Sequence, residues 1–262
     1  MSSASMHVAK TGLNAQQARI QVISNNLANV NTTGFKRDRA NFETLLYQTW
    51  KSGGAQTSEA TQLTSASAVG TGVRMVNTQK LHSQGSLVNT GNNLDIAING
   101  QGFFQVLLPD GQIGYTRDGT FSRNAEGTMT TSSGYVVQPE IQIPADAMEI
   151  NISADGIVSV TTPGNNIYQE VGQLTLATFS NPAGLDSRGE NFLVETPASG
   201  APIVANPVAD GMGSLMQGTL ESSNVNVVQE LVDMIEAQRA YEISSKMVSA
   251  VDEMLRNANQ TL

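Results

Sequence analysis

Few side chains in this chain could do chemistry, and they do not form a familiar catalytic pattern. His7 and His82 are the two histidines, and neither belongs to an HExxH zinc motif. Two isolated histidines are more typical of surface or capping groups than of a catalytic or metal-binding pair. Asp118 and Glu126 could be the carboxylate pair of a glycosidase. Each is followed by glycine, however, so a hairpin turn explains both of them better.

Motifs that bind cofactors are equally weak. Residues 70–72 and 100–102 are lone Gly-x-Gly pairs, which lack the further residues of a dinucleotide fingerprint or a phosphate-binding loop. The chain contains no cysteine, which excludes a disulfide framework and thiolate metal sites. The sequence therefore predicts no catalytic residue, no metal site and no cofactor, and it favours a protein that is not an enzyme.

The charge balance argues against one class of binding partner, nucleic acid. The formal net charge is −9 and the pI is about 4.7, so binding of nucleic acid through a basic face is not expected. Charged residues make up 14% of the chain, against about 25% in typical domains. Uncharged polar groups cost less to desolvate than ions, which suits a surface that becomes an interface. A β-rich domain with many turns would have the same composition, and both interpretations stay open.

The N-terminal region has the apolar pattern of a coiled-coil helix. Its apolar residues alternate between spacings of three and four, with one polar member. Neither Gly nor Pro interrupts residues 13–33, and Gly34 is a typical stop signal. The members of this seam are Met6, Ala9, Leu13, Gln16, Ile20, Ile23, Leu27 and Val30.

The C-terminal region predicts a second long helix that begins after Asn226, a suitable N-cap with Gln229 three residues on. It carries two seams, and one neighbouring helix cannot cover both. The alternative is an amphipathic helix that lies on the chain's own core. The first seam is Leu231, Met234, Gln238, Tyr241, Ser245, Val248, Asp252 and Leu255; the second is Ala240, Ile243, Met247, Ala250 and Met254.

The middle of the chain predicts β-structure, because short apolar runs are separated by turn dipeptides such as Asp110-Gly111, Asp118-Gly119 and Asp155-Gly156. An antiparallel sandwich or barrel is the expected arrangement. Residues 52–72 and 197–214 have the composition of loops or extended arms. The candidate strands are residues 95–98, 103–107, 113–117, 134–138, 149–152, 157–160, 173–178 and 191–194.

These elements predict an α+β fold in which paired N- and C-terminal coiled-coil helices form a discontinuous helical domain around a central antiparallel β domain. We expect residues 1–35 and 226–262 in the helical domain. We expect residues 36–72 and 197–225 as connecting arms and residues 73–196 as the β-rich domain. Residues 1–17 have no apolar signal-peptide core, so export would need a route without a cleaved signal.

Three motifs resemble the bacterial flagellar rod and hook protein family. The first is Asn-Asn-Leu-Ala-Asn-Val-Asn-Thr-Thr-Gly-Phe-Lys-Arg at residues 25–37. The second is Gly-Gln-Gly-Phe-Phe-Gln-Val at residues 100–106, followed by Tyr-Thr-Arg-Asp-Gly-Thr-Phe at residues 115–121. The third is Glu-Ser-Ser-Asn-Val-Asn at residues 221–226, which leads into Met-Ile-Glu-Ala-Gln-Arg-Ala-Tyr-Glu at residues 234–242. Together they extend over nearly the whole chain.

Within that family, residues 42–63 resemble the insertion that distinguishes the straight distal rod from the curved hook. The resemblance implies a distal-rod subunit that polymerises helically into a hollow drive shaft and transmits torque from motor to hook. It also implies that the terminal helices form the inner tube of this shaft and that the β domain is the outer domain. It implies contacts with other copies, with proximal rod and hook proteins at the two ends, with the surrounding peptidoglycan-layer and outer-membrane ring proteins, and with the flagellar export apparatus. The expected location is the basal body, across the periplasm.

Two alternative functions remain, one within this family and one outside it. Another axial protein of the same family, from the proximal rod or the hook, would share most of these motifs. A secreted β-sandwich binding module would share the β-rich middle. The residues that we expect at subunit interfaces are Leu13, Ile20, Ile23, Leu27, Val30, Phe35, Tyr47, Leu231, Met234, Tyr241, Val248 and Leu255. We also expect residues 51–63 to pack on an adjacent subunit and stiffen the polymer.

Overall fold

The computed structural model describes residues 2–51, 56–58, 61–62 and 64–260. Long helices α1 (Ser2–Ala28) and α2 (Val227–Gln260) lie at the two ends of the chain, and a short 3-10 helix covers Pro182–Gly184. The other elements that the structure describes between α1 and α2 are strands. The α+β class with terminal helices and a central antiparallel β region is therefore confirmed.

The first six strands follow α1. They are β1 (Asp38–Thr44), β2 (Tyr47–Lys51), β3 (Gln56–Ser58), β4 (Thr61–Gln62), β5 (Ser67–Gly70) and β6 (Val73–Lys80). β1 pairs with β6, β2 with β5 and β3 with β4. Composition predicts a loop or an extended arm at residues 52–72, but the described residues 56–58, 61–62 and 67–70 of this stretch are strands. Small residues such as Ala68 and Gly70 complete a ladder with β2, and pairing across the chain is invisible to local composition.

The next group of strands begins the β-rich region. It comprises β7 (Leu87–Asn89), β8 (Ile96–Asn99), β9 (Phe104–Leu107), β10 (Ile113–Thr116), β11 (Phe121–Arg123), β12 (Met129–Thr131), β13 (Val137–Gln138) and β14 (Glu149–Ile152). The rest are β15 (Ile157–Thr162), β16 (Asn165–Gln173), β17 (Leu176–Thr178), β18 (Asp186–Gly189), β19 (Phe192–Val194), β20 (Ile203–Ala205), β21 (Ser214–Gln217) and β22 (Thr219–Glu221).

These strands form small antiparallel sheets. The largest has the order β13-β9-β10-β19-β18, and a second has the order β14-β15-β16. Four two-stranded ladders pair β11 with β12, β17 with β20, β21 with β8 and β22 with β7. The predicted strand at residues 149–152 has the predicted bounds. The one predicted at residues 173–178 is divided between two strands, because Gln173 ends β16 and β17 covers Leu176–Thr178.

Contacts divide the chain into two compact units. The helical unit contains residues 1–28, 38–79 and 226–262, and the β unit contains residues 29–37 and 80–225. The main core of the β unit is aliphatic with two aromatic rings. Its buried members are Ile96, Ile98, Phe104, Phe121, Met129, Val137, Ile141, Ile143, Ile152, Val158, Val160, Leu174, Leu176, Met212 and Leu215. Within the described residues, neither helix is apolar enough over its length to cross a membrane.

The end of α1 differs from the prediction. The helix stops at Ala28, and residues 29–34 form turns, although no Gly or Pro interrupts the sequence before Gly34. Gly34 has φ +68°, and a Cβ there would lie 2.6 Å from the backbone nitrogen of Asp118. Only glycine permits this close approach of the two backbone segments. Gly34 and Asp118 both belong to the β unit. The chain therefore leaves the helix early enough to bring Gly34 against the segment of Arg117 and Asp118.

The Asp118-Gly119 turn also has a different cause from the one predicted. A Cβ on Gly119 would come within 1.6 Å of the Ile96 carbonyl oxygen, so close backbone packing explains this glycine. Asp118 does behave as a turn residue. Its Oδ1 accepts hydrogen bonds from both the backbone N–H and the hydroxyl of Thr120. The structural interpretation of this carboxylate is thus supported over a role in glycosidic cleavage.

Candidate assembly surface and buried polar network

Small and polar residues line the face of α2 that packs on α1. Glu230, Ala237 and Ser244 recur every seventh position and are buried. Gly12 of α1 lies opposite Ser244, because a Cβ built on it would be 3.8 Å from the Ser244 hydroxyl oxygen. Arg19 of α1 adds a partly exposed ion pair with Asp233 at 3.7 Å. The two helices therefore approach each other through small side chains.

The large apolar residues of α2 lie on its other side. We call this set the outer face of α2: Val228, Leu231, Val232, Ile235, Ile243, Met247 and Met254. Val228 is 71% exposed and Met254 68% exposed. A contiguous patch of exposed large apolar side chains marks a surface that binds another molecule. The outer face is consequently the strongest candidate for a contact surface.

The predicted seams divide between the two sides of α2. In the first seam, Leu231 and Tyr241 are exposed, whereas Met234 and Val248 are half-buried. The second seam is mostly exposed, at Ile243, Met247 and Met254 in particular. Sequence periodicity thus found both apolar rows. It missed the buried row at Glu230, Ala237 and Ser244, since hydropathy does not mark small or polar contacts.

The predicted contact residues outside α2 have varied environments. Ile23 and Phe35 are buried, and the Lys80 ammonium lies 5.2 Å from the centre of the Phe35 ring. Tyr47 is exposed on β2, close to Leu46 and Trp50, which are also exposed. The half-buried members are Leu13, Ile20, Leu27 and Val30. The side chain of Leu255 and most of residues 51–63 lie outside the described part of the chain.

Asn26 joins three parts of the helical unit. Its Nδ2 donates to the backbone carbonyl of Asp38 at 2.9 Å, and its Oδ1 accepts from the Asp38 N–H at 2.8 Å. The same Nδ2 also donates to Oε2 of Glu230 at 3.2 Å. Asn26 and Glu230 are both buried. One amide therefore fixes α1 to the start of β1 and to the first turn of α2.

The start of α2 is capped as predicted. Oδ1 of Asn226 accepts hydrogen bonds from the N–H groups of Val228, at 3.0 Å, and Gln229, at 3.2 Å. These bonds satisfy backbone donors that have no partner within the helix. The carboxylate of Glu230 in the first turn also suits the positive end of the helix dipole.

A buried ion triad of Lys36, Arg117 and Glu221 lies in the β unit. Oε1 of Glu221 accepts from Nζ of Lys36 at 2.6 Å, and its Oε2 is 3.3 Å from Nη1 of Arg117. All three side chains are buried. Burial lowers the pKa values of Lys36 and Arg117, and the Glu221 carboxylate opposes both shifts.

Backbone groups complete the coordination of this triad. Lys36 donates to the Ser83 carbonyl at 2.8 Å, and Arg117 donates to the Gly100 carbonyl at 2.7 Å. The Gly85 N–H donates to Glu221 at 2.8 Å. Each residue of the triad comes from a different motif noted in the sequence. Those motifs therefore converge on one buried structural site, which no local sequence pattern predicts.

His82 lies beside the triad. Its ring meets Phe103 edge-on at 5.5 Å between centroids. Burial lowers the pKa of His82 to about 4, and the nearby charges of Lys36, Arg117 and Lys80 contribute further. Its Nδ1 atom is one of three buried side-chain atoms with no hydrogen-bond partner among the described residues. A neutral ring surrounded by cations is suited to packing and is a weak candidate for acid–base chemistry.

The β unit also has an open groove of about 720 Å³ beside Tyr115 and Glu195. Burial raises the pKa of the Tyr115 phenol, with a smaller contribution from Glu195. The neighbouring Thr196 hydroxyl donates to the Gly184 carbonyl. Among the described residues, no group of three or more His, Asp or Glu side chains is placed to hold a metal ion. The groove offers a phenol and a carboxylate, without the arrangement of a known catalytic site.

Comparisons with known proteins agree along the length of the chain. Residues 6–36 match the family model described as flagella basal body rod protein. Residues 97–160 match the flagellar hook protein FlgE/F/G D1 domain, and residues 216–261 match the flagellar basal body rod FlgEFG protein C-terminal model. Lys36, Arg117 and Glu221 each fall within one of these three regions.

Individual relatives cover almost the full chain. The flagellar basal-body rod protein FlgG of Buchnera aphidicola (subspecies Schizaphis graminum) is 54% identical over 98% of both chains. FlgG of Caulobacter vibrioides is 45% identical over 97% of this chain and 98% of its own length. FlgF of the same organism is 34% identical over 93% of this chain and 91% of its own length.

Proposed function

The chain belongs to the flagellar hook and basal-body rod protein family, and we propose that it is a structural subunit of the distal rod. In this proposal, copies polymerise helically into a hollow shaft that transmits torque from motor to hook. The greater identity to a FlgG than to the FlgF of one organism favours the distal rod over other axial positions.

The observation that carries the proposal is the outer face of α2. A side chain of this size stabilises a contact by about 1.5–3 kcal/mol when it is fully buried. α1 already covers the opposite side of α2, so another chain is the natural cover for the outer face. Contacts between two different surfaces of identical subunits repeat by a screw operation and produce a filament.

We also propose the neighbours, the export route and the mode of action of such a subunit. Its neighbours at the two ends would be proximal rod and hook proteins, and ring proteins of the peptidoglycan layer and outer membrane would surround it. It would reach the periplasm through the flagellar export apparatus. It would act mechanically, without catalysis.

The test is assembly of the purified full-length chain, followed by sedimentation and electron microscopy. We expect straight hollow tubes from the wild type. V232S/I235S places two hydroxyls on the outer face and should raise the critical concentration about tenfold or more, given about 0.8 kcal/mol for each buried CH₂ that is lost.

The matched control is M148S, because Met148 is 75% exposed on the β unit and distant in sequence from α2. This variant should assemble like the wild type. Equal assembly of V232S/I235S and M148S would contradict the proposed role of the outer face. Failure of the wild type to form tubes would contradict the proposed function as a whole.

A further inference from the structure

Two thioether side chains belong to the outer face of α2. Met247 is 48% exposed and Met254 is 68% exposed. They are seven residues apart and therefore lie on the same side of the helix, in one row with Ile243. In contrast, Met129 and Met212 are buried in the core of the β unit. A small oxidant in solution can reach the first pair and is excluded from the second.

We propose that Met247 and Met254 form an oxidation site through which hydroperoxides block assembly of the free subunit. A sulfur lone pair attacks one oxygen of hydrogen peroxide, the S–O bond forms and the O–O bond breaks. The leaving hydroxide takes the proton of the transferred oxygen and becomes water. Sulfur loses two electrons to become a sulfoxide, and the peroxide is reduced by two electrons.

The physical effect follows from where the sulfoxide lies. The new oxygen is a strong hydrogen-bond acceptor on a row whose neighbours, such as Ile243 and Ala250, offer apolar side chains. Burying an acceptor without a donor is costly, so each sulfoxide should weaken association about tenfold. This inference rests on the proposed function, because it requires the outer face to be buried between copies. Packing then shields the sulfurs, so oxidation acts before assembly and little after it.

The experiment uses the purified full-length subunit, treated with hydrogen peroxide before assembly and quenched with catalase. Peptide mass spectrometry measures the sulfoxide at each methionine, and sedimentation measures polymer. We expect the oxidised wild type to lose assembly by about tenfold or more, as estimated for buried polar groups. M247L/M254L should keep its assembly after the same treatment. M148L is the matched control, because it removes a 75% exposed thioether from the β unit and should stay as sensitive as the wild type.

A second measurement does not depend on the double variant. Methionine sulfoxide reductases should restore assembly of the oxidised wild type while it is still unassembled. Two results would overturn the proposed oxidation site and leave the proposed function standing. One is full assembly of a wild type that carries both sulfoxides, and the other is no recovery of assembly after the sulfoxides are reduced. Failure of the untreated wild type to polymerise would overturn the proposed function, and this site with it.

Discussion

Glu221 holds its carboxylate between two buried cations, Lys36 and Arg117. Removing an ammonium and a guanidinium group from water is expensive, as the lowered pKa values of Lys36 and Arg117 indicate. The triad is therefore a weak source of net stability. What the triad does is connect distant parts of the chain, since Glu221 bonds to residues that lie 185 and 104 positions before it in sequence. Loss of the carboxylate would leave both cations buried without their counterion.

His82 gives the β unit an acid-sensitive point. Its pKa is about 4 in the folded chain, against 6.5 without burial. Between pH 6.5 and about 4, His82 therefore binds a proton more readily in the unfolded state than in the folded state. Lowering the pH over this range favours unfolding. We expect the free energy of unfolding to fall as the pH drops from about 6.5 to 4, by up to about 3 kcal/mol from this group. Denaturant titrations followed by circular dichroism across that range measure the loss.

Two variants separate this effect from the acid response of the carboxylates. H82Q stays neutral and should lose the part of the pH dependence that His82 supplies. H7Q changes the other histidine, which is exposed on α1, and is the matched control for the substitution itself. Identical pH profiles for H82Q and the wild type would show that the ring is not held neutral by its surroundings.

At the scale of single elements, local patterns predicted local features. The Asn226 cap, strand β14 and the turn glycines Gly111 and Gly156, which have positive φ, depend on a few adjacent residues. Local sequence does not determine which part of the structure covers each seam of α2. A heptad pattern marks apolar rows, whereas α1 selects the row of small residues at Ala237 and Ser244. The large apolar residues are left for other contacts.

Asn26 is the residue that we expect to set the register between the two helices. N26A removes the donors and acceptor that serve Asp38 and Glu230 in a buried site. Leaving such groups without these bonds should cost about 2–3 kcal/mol. N14A is the matched control, because Asn14 is an exposed asparagine on the same helix. Thermal unfolding followed by helical circular dichroism compares the two, and an equal effect would contradict a special role for Asn26.

For the whole molecule, the three motifs predicted the family, but their positions in the sequence did not predict their contacts. Residues 29–37 fold with the β unit, although they continue directly from α1. Residues 38–79 return to the helical unit before the chain enters the β unit again. These crossings depend on pairings over long sequence distances, such as that of Gly34 with the Glu221 carbonyl. Composition and periodicity do not predict these long-range pairings.

Charge is distributed unevenly between the two units, and this should control the rate of assembly. The β unit contains 14 of the 23 acidic residues but only 6 of the 14 basic ones, so nearly all of the net charge of −9 lies there. Copies should repel one another at low ionic strength. Raising the salt concentration shortens the Debye length from about 30 Å at 0.01 M to about 8 Å at 0.15 M. We therefore expect faster polymerisation over this range, measured by light scattering.

The chain offers a direct way to separate repulsion from a general effect of salt on apolar contacts. E126Q/E140Q/E170Q removes three exposed charges from the β unit without adding apolar surface. If repulsion slows association, this variant should polymerise faster than the wild type at 0.01 M salt, and the two rates should converge as screening increases. If salt acts by strengthening the burial of the outer face of α2, both chains should accelerate in parallel. Parallel acceleration would therefore place the control of assembly in the apolar contacts of α2 and not in the charge of the β unit.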